Sequence, residues 1–140
     1  MIIDDNAVIE IIIYYKKSGN RYDVYTAKEF KNLDLLEEKK KLFTLLKVEM
    51  KELNWGLYND LQDAAMVESG GFGERVFNFK VYKESRLKKL LVKWDAKDKE
   101  NKPLPINDKI INQLAPSIAE TILKAYDEVS ILDGEEEKNS

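Results

Sequence analysis

The chain has no cysteine and no histidine among its 140 residues, and only three prolines and six glycines. Those two absences exclude disulfide scaffolds, zinc fingers, haem and iron–sulfur ligation, Cys proteases and every Ser-His-Asp arrangement. Any catalysis would have to run on carboxylates, Lys, Tyr, Ser or a carboxylate-held magnesium, so the composition leans against an enzyme and implies no cofactor. Long apolar runs are also lacking. The longest, Ala7 to Tyr15, is interrupted by Glu10 and is too short to cross a bilayer. The opening Met-Ile-Ile-Asp-Asp has no positively charged segment of the kind that starts a secretory signal. The expectation is a soluble chain in the cytoplasm.

What is present is enough apolar material for one core, 44% hydrophobic and 10% aromatic, under a surface rich in charge at 35%. Net charge is -3, unevenly spread. Glu128, Asp133, Glu135, Glu136 and Glu137 stand against Lys138 at the end, which leaves the rest of the chain close to neutral. That is not the basic balance of a strong nucleic-acid binder. The expected organisation is a single domain over 1–132, with a hairpin at about 7–26, a helical part at about 28–130, and an acidic flexible tail at 133–140.

The clear strand signal is at the start. Ile9, Ile11, Ile13 and Tyr15 alternate with Val8, Glu10, Ile12, Tyr14 and Lys16, a β-branched and aromatic run. Lys17-Ser18-Gly19-Asn20-Arg21 supplies a turn, and Tyr22 to Thr26 alternates again, which makes a hairpin. Beyond Thr26 the spacing turns helical. Leu35, Leu36, Leu42, Phe43, Leu46, Met50 and Leu53 recur at i, i+3 and i+4, although Thr44 and Val48 leave Leu45–Met50 open to an extended reading. Asn54 is placed to cap a helix over Gly56–Met66 with Trp55, Tyr58, Leu61 and Ala65 on one side. Glu68 to Glu74 is a loop by composition. Asn78 or Phe79 opens a third helix, whose apolar face is Leu87, Leu90, Leu91 and Trp94. Pro103 to Ile106 must be extended. Asn107 caps a short helix to Leu114, and Pro116 starts a last one striped by Ile118, Ile122, Tyr126 and Val129. The fold class expected is α+β and mainly α-helical, an N-terminal hairpin followed by four or five packed helices.

Candidate chemistry is sparse. Gly70, Gly71 and Gly73 suggest a phosphate loop, but Val76 stands where a third fingerprint glycine belongs and no Lys-Ser or Lys-Thr follows. A flexible connection between helices accounts for them better. Asp60 and Asp63 could share a cation, though two carboxylates on a helix more simply face solvent. Lys80, Lys83, Arg86, Lys88, Lys89, Lys93, Lys97, Lys99 and Lys102, with Tyr82 and Trp94 among them, superficially resemble a stacking nucleic-acid surface. Trp94 shares its spacing with Leu87, Leu90 and Leu91, which marks it as core and the lysines as a solvated helix face.

The most distinctive stretch is Trp94-Asp95, a polar turn, then Lys102-Pro103-Leu104-Pro105-Ile106 and a capped helix ending Leu114-Ala115-Pro116. Leu91 to Tyr126 resembles the C-terminal part of the small tail assembly chaperones of long-tailed bacteriophages. There a hydrophobic helix ends in Trp, a turn and a Lys-Pro-Leu-Pro-like strap follow, and a Leu-x-Pro helix pair closes the chain. Asn54-Trp55-Gly56 opening a helix before a glycine loop is similar to the same group, so the resemblance spans about 54–129 and leaves the hairpin unmatched. It implies no catalysis. It implies binding of the helical tape-measure protein and of tail-tube subunits in the host cytoplasm, with Trp55, Trp94, Leu104, Pro105, Ile106 and Leu114 as partner-binding or structural anchors. The apolar first strand could also pair between copies and give a homo-oligomer. The alternatives are a structural tail or neck protein retained in the virion and, on the lysines alone, a nucleic-acid-binding accessory protein.

Overall fold

The computed structural model describes residues 1–71 and 73–139, with side chains described up to Ser130 apart from Phe72. The expected acidic tail at 133–140 therefore lies outside the fully described residues.

Strand β1 (Val8–Ser18) and strand β2 (Arg21–Thr26) form the expected hairpin about Gly19, whose φ of 64° is the left-handed turn that glycine tolerates. The mainly helical expectation fails beyond it. Residues 44–51 are a strand, β3 (Thr44–Lys51), which pairs antiparallel with β1 from Val8↔Lys51 to Tyr15↔Thr44. Two short helices, α1 (Ala27–Lys31) and α2 (Glu37–Lys40), are all the helix between β2 and β3. The physical reason is that Leu46 and Met50 fit either period, whereas Val48 fits only the strand. In a helix Val48 would lie about 200° away from Leu46; in the strand all three residues share a face and all three are buried. The apolar edge of β1 needs a partner for its backbone groups, and β3 supplies it.

The sheet order is β2-β1-β3-β6, all antiparallel. Its last member, β6 (Leu91–Trp94), corrects a second expectation. Helix α4 (Phe79–Leu90) stops four residues before Trp94, because Leu91 turns extended (φ -63°, ψ 123°) and pairs with Met50.

The remaining helices begin where side-chain caps put them. Asn54, Asn78 and Asn107 accept hydrogen bonds from the backbone N–H of Leu57, Val81 and Ile110, and so start α3 (Trp55–Ala65), α4 and α5 (Asp108–Asn112). Pro116 opens α6 (Pro116–Asn139). The loop expected at Glu68–Glu74 follows a strand rather than a helix, since β4 (Met66–Glu68) pairs with β5 (Arg75–Phe77) in a second hairpin. One core joins the layers: Ile11, Ile13, Leu46, Val48 and Met50 from the sheet meet Leu61, Leu87, Leu90, Ile122 and Tyr126 from the helices. The opposite face of the sheet is covered at one end by the connection from β2 to β3, where Phe30 stacks on Tyr14 at 3.9 Å and Phe43 packs against Phe30 and Tyr25. Among the described residues no helix is long and apolar enough to cross a membrane.

Candidate functional site

The anchors expected from the sequence divide between two places. The first is a groove of about 640 Å³ at the start of α3, walled by Met1, Ile2 and Ile3 on one side and Leu53, Trp55 and Tyr58 on the other. Asn54 builds it. While its Oδ1 caps α3, its Nδ2 donates to Asp5 Oδ1 at 2.7 Å, which holds the N-terminal segment against the helix. Trp55 is 76% exposed and stacks on Tyr58 with centroids 5.7 Å apart. The stripe expected on this helix therefore splits. Leu61 and Ala65 are buried, and Leu57 is partly buried against the core; Trp55 is turned about 200° from Leu57 around the helix, toward the groove.

The second place is the strap beyond β6. Trp94 is half-buried opposite Val48, and its Nε1 donates to the Leu104 carbonyl at 2.8 Å. Leu104 N–H in turn donates to Ala96, and Lys97 bridges Pro103. Asp98 ties the turn between them by accepting from Glu100 and Lys102 N–H, each at 2.9 Å. Ile106 and Leu114 pack on the core, and Pro105 is exposed. Trp94 thus clamps the strap from a strand rather than from the helix face that its spacing suggested. Trp94→Phe keeps most of the packing but leaves the Leu104 carbonyl without its donor. Urea denaturation should show a loss of about 1–2 kcal/mol, with unchanged far-UV circular dichroism.

The lysine cluster disperses. Arg86 is buried, Lys83 pairs with Glu120 at 2.7 Å, Lys89 shares a shallow cleft with Lys51, Asp60 and Asp63, and Lys93 faces Glu10 and Glu49 across the sheet. Asp60 and Asp63 thus sit beside cations, and among the described residues no group of three or more acids is placed to hold a metal ion. Gly70 and Gly73 take positive φ at the β4–β5 tip, which explains the glycines by turn geometry.

Two features escaped the sequence reading. One is the cleft of about 600 Å³ between α4 and α6, lined by Phe79, Tyr82, Lys83, Arg86, Glu120 and Asp127 among others. Most of its charges are paired: Arg86 binds Asp127, Lys83 binds Glu120, and Lys124 binds Glu29, while Lys28 and Glu128 in the lining form no ion pair among the described residues. Burial would raise the Glu29 carboxyl, but the bonds from Lys124 and from Thr26 N–H outweigh it and hold the group below its usual range. Beside Arg86, burial pushes the Tyr126 hydroxyl up to about 12 against the pull of the guanidinium, so it stays a neutral donor to the Lys51 carbonyl. The second feature is the apolar end of the β4–β5 hairpin, where Val76, Phe77 and Phe79 are exposed. The β-branched and aromatic pair Val76-Phe77 was the available signal, hidden by the glycines before it.

No family model matches the chain, and neither a curated protein nor a solved structure matches it.

Proposed function

We propose that the chain is a phage tail assembly chaperone that covers apolar helical segments of a tape-measure protein in the host cytoplasm. The resemblance lies over about 54–129, a stretch that contains α3, β4, β5, α4, β6 with the Trp94 strap, α5 and the start of α6; the correction at β3 falls outside it, and those at β6 and at the β4–β5 hairpin fall within it. The single observation that carries the reading is the exposed groove of Trp55, Tyr58, Leu53 and Ile2. A helix with apolar residues at i, i+3 and i+4 is recognised by such a groove, and a stacked Trp–Tyr pair provides rigid contact area at small entropic cost. A tape-measure chain exposes such stripes until the tail tube encloses it, so many copies of a small binder are needed to keep it from aggregating.

Co-expression with a long helical tape-measure protein should keep that protein soluble and bring the two down together. Trp55→Ala should cost at least about tenfold in that affinity, with melting unchanged because the side chain is mostly in water. Purified virions should contain none of the protein. Stoichiometric recovery from virions would replace the reading with a structural tail or neck protein, and steeply salt-dependent DNA binding would replace it with the nucleic-acid one.

A further inference from the structure

The groove at the start of α3 has one wall that the helix does not supply. Met1, Ile2 and Ile3 stand across it from Leu53, Trp55 and Tyr58. Ile3 is half-buried, but Ile2 is 95% exposed and so gives almost none of its apolar surface to the rest of the chain. Apolar side chains thus face each other over a gap of about 640 Å³, a volume within the range of sites that enclose a ligand.

What fixes this wall is polar. Asp4 closes a turn by accepting Asn6 N–H at its carboxylate, 2.9 Å, and Ala7 N–H at its carbonyl, 3.0 Å. The Ala7 carbonyl accepts Glu52 N–H at 2.9 Å, which joins the turn to the end of β3. On the helix side Asn54 Nδ2 donates to Asp5 Oδ1 at 2.7 Å. Asn54 cannot turn its amide around, because its Oδ1 is the cap that accepts Leu57 N–H. A donor therefore points at position 5, and the Asp5 carboxylate is the acceptor that it requires.

We infer that Met1–Ile3 is one jaw of a clamp and Trp55 with Tyr58 the other, that the Asn54–Asp5 hydrogen bond sets the gap between them, and that Ile2 closes on the far side of a bound apolar helix. The inference rests on the reading of this groove as the partner site and adds what sets its width. Asn54 and Asp5 are positioning residues, and the jaws make the contact. Asp5 is the single charged side chain in the lining, with one oxygen already engaged. The gripped strip is therefore apolar, since a charge buried between the jaws would have no counterion there. A wall already in place lowers the ordering cost of binding.

The test reverses the polarity of the Asn54–Asp5 bond and leaves the cap alone. Asn54→Asp still caps α3, since aspartate serves there as well as asparagine, but it sets a carboxylate against Asp5. Asp5→Asn alone keeps the bond, because Asn54 can donate to the new amide oxygen. The double variant restores the bond with donor and acceptor exchanged. These variants and Ile2→Asp should melt like the parent. Backbone order at the Ile3 and Asp4 amides, from NMR relaxation of the free chain, should fall from about 0.85 to below about 0.6 in Asn54→Asp and return in the double variant. The binding probe is a capped amphipathic peptide with leucines at i, i+3, i+4 and i+7 between lysines and glutamates. Its affinity should fall about tenfold in Asn54→Asp and in Ile2→Asp, stay within about threefold in Asp5→Asn, and recover in the double variant. Equal order at Ile3 and Asp4 in the parent and Asn54→Asp would overturn the clamp. Undiminished peptide binding by Asn54→Asp or by Ile2→Asp would do the same while leaving the groove as the partner site. No binding by the parent up to about 1 mM peptide would remove the reading of the groove itself, and the clamp with it. If the free chain forms dimers that the peptide dissociates, the occupant is a second copy and that reading fails as well.

Discussion

Val48→Asp is expected to prevent folding, while Leu45→Asp three positions earlier leaves the fold intact. Val48 is 0% exposed at the centre of β3, paired with Ile11 on one side and with Trp94 on the other. A carboxylate there has no partner in the surrounding core of Ile11, Leu46, Met50 and Leu91. Holding it uncharged still leaves a polar group unpaired, and burying it charged costs far more. Either penalty is a large part of the roughly 5–15 kcal/mol that stabilises a domain of this size. Leu45 is on the other face and exposed, so its substitution should change stability by about 0.5 kcal/mol or less. The pair of variants separates the two periods directly. A helix built on Leu46, Met50 and Leu53 would turn Val48 to water and tolerate the acid. Circular dichroism and urea denaturation of both variants decide it: a Val48→Asp protein that melts like the parent would remove β3 from the sheet.

The same residues show how far the fold could be read from the chain. The hairpin was legible because Ile9, Ile11, Ile13 and Tyr15 alternate over a length at which a helical period gives a different face. The helix starts were legible because capping is local chemistry: an Asn three residues before the N–H that it accepts from needs no tertiary context. The strand at 44–51 was ambiguous. Leu46 and Met50 satisfy both periods, and only the pairing with β1, set by residues some 35 positions away, chooses between them. Leu91–Trp94 continues a helical spacing from Leu87, yet its backbone goes to Met50 and Val48. For the site, the Trp94-to-strap contact was legible as a Trp facing a Pro-x-Pro segment, although its carrier is a strand. Trp55 was placed on the right helix but with the buried stripe, because spacing alone does not say which face of an amphipathic helix the N-terminal segment will meet. The wall at Met1–Ile3 depends on Asn54 meeting Asp5, 49 positions away, and only the folded structure shows that.

The ion pair between α4 and α6 leads to an expectation of opposite kind for its two members. Arg86 and Asp127 form a two-point contact, Nη2 to Oδ1 and Nη1 to Oδ2. The guanidinium lies between the rings of Tyr82 and Tyr126, 5.4 Å from each centroid, and its Nε is buried without a partner among the described residues. The pair is unequal in its exposure: the Arg86 side chain is 8% accessible and that of Asp127 is 49%. Removing the carboxylate by Asp127→Ala leaves a mostly buried charge without its counterion; such a loss costs about 3–5 kcal/mol in a fully buried pair and about 2 kcal/mol here, where the cleft beside Arg86 admits water. Removing the cation by Arg86→Met leaves an acid already half in water, which rehydrates, and an unbranched apolar side chain between two aromatic rings. That variant should lose about 1 kcal/mol or less. The exposed Lys83–Glu120 pair on the same two helices cannot compensate, since surface pairs contribute about 0–1 kcal/mol. Combining Arg86→Met with Asp127→Ala should therefore recover most of the stability that Asp127→Ala loses, because the stranded charge has gone. Urea denaturation of the two single variants and the double gives all three values. Equal losses in the single variants, or a double variant no better than Asp127→Ala, would mean that the guanidinium finds water when its partner leaves and that α4 and α6 are held together by their apolar contacts alone.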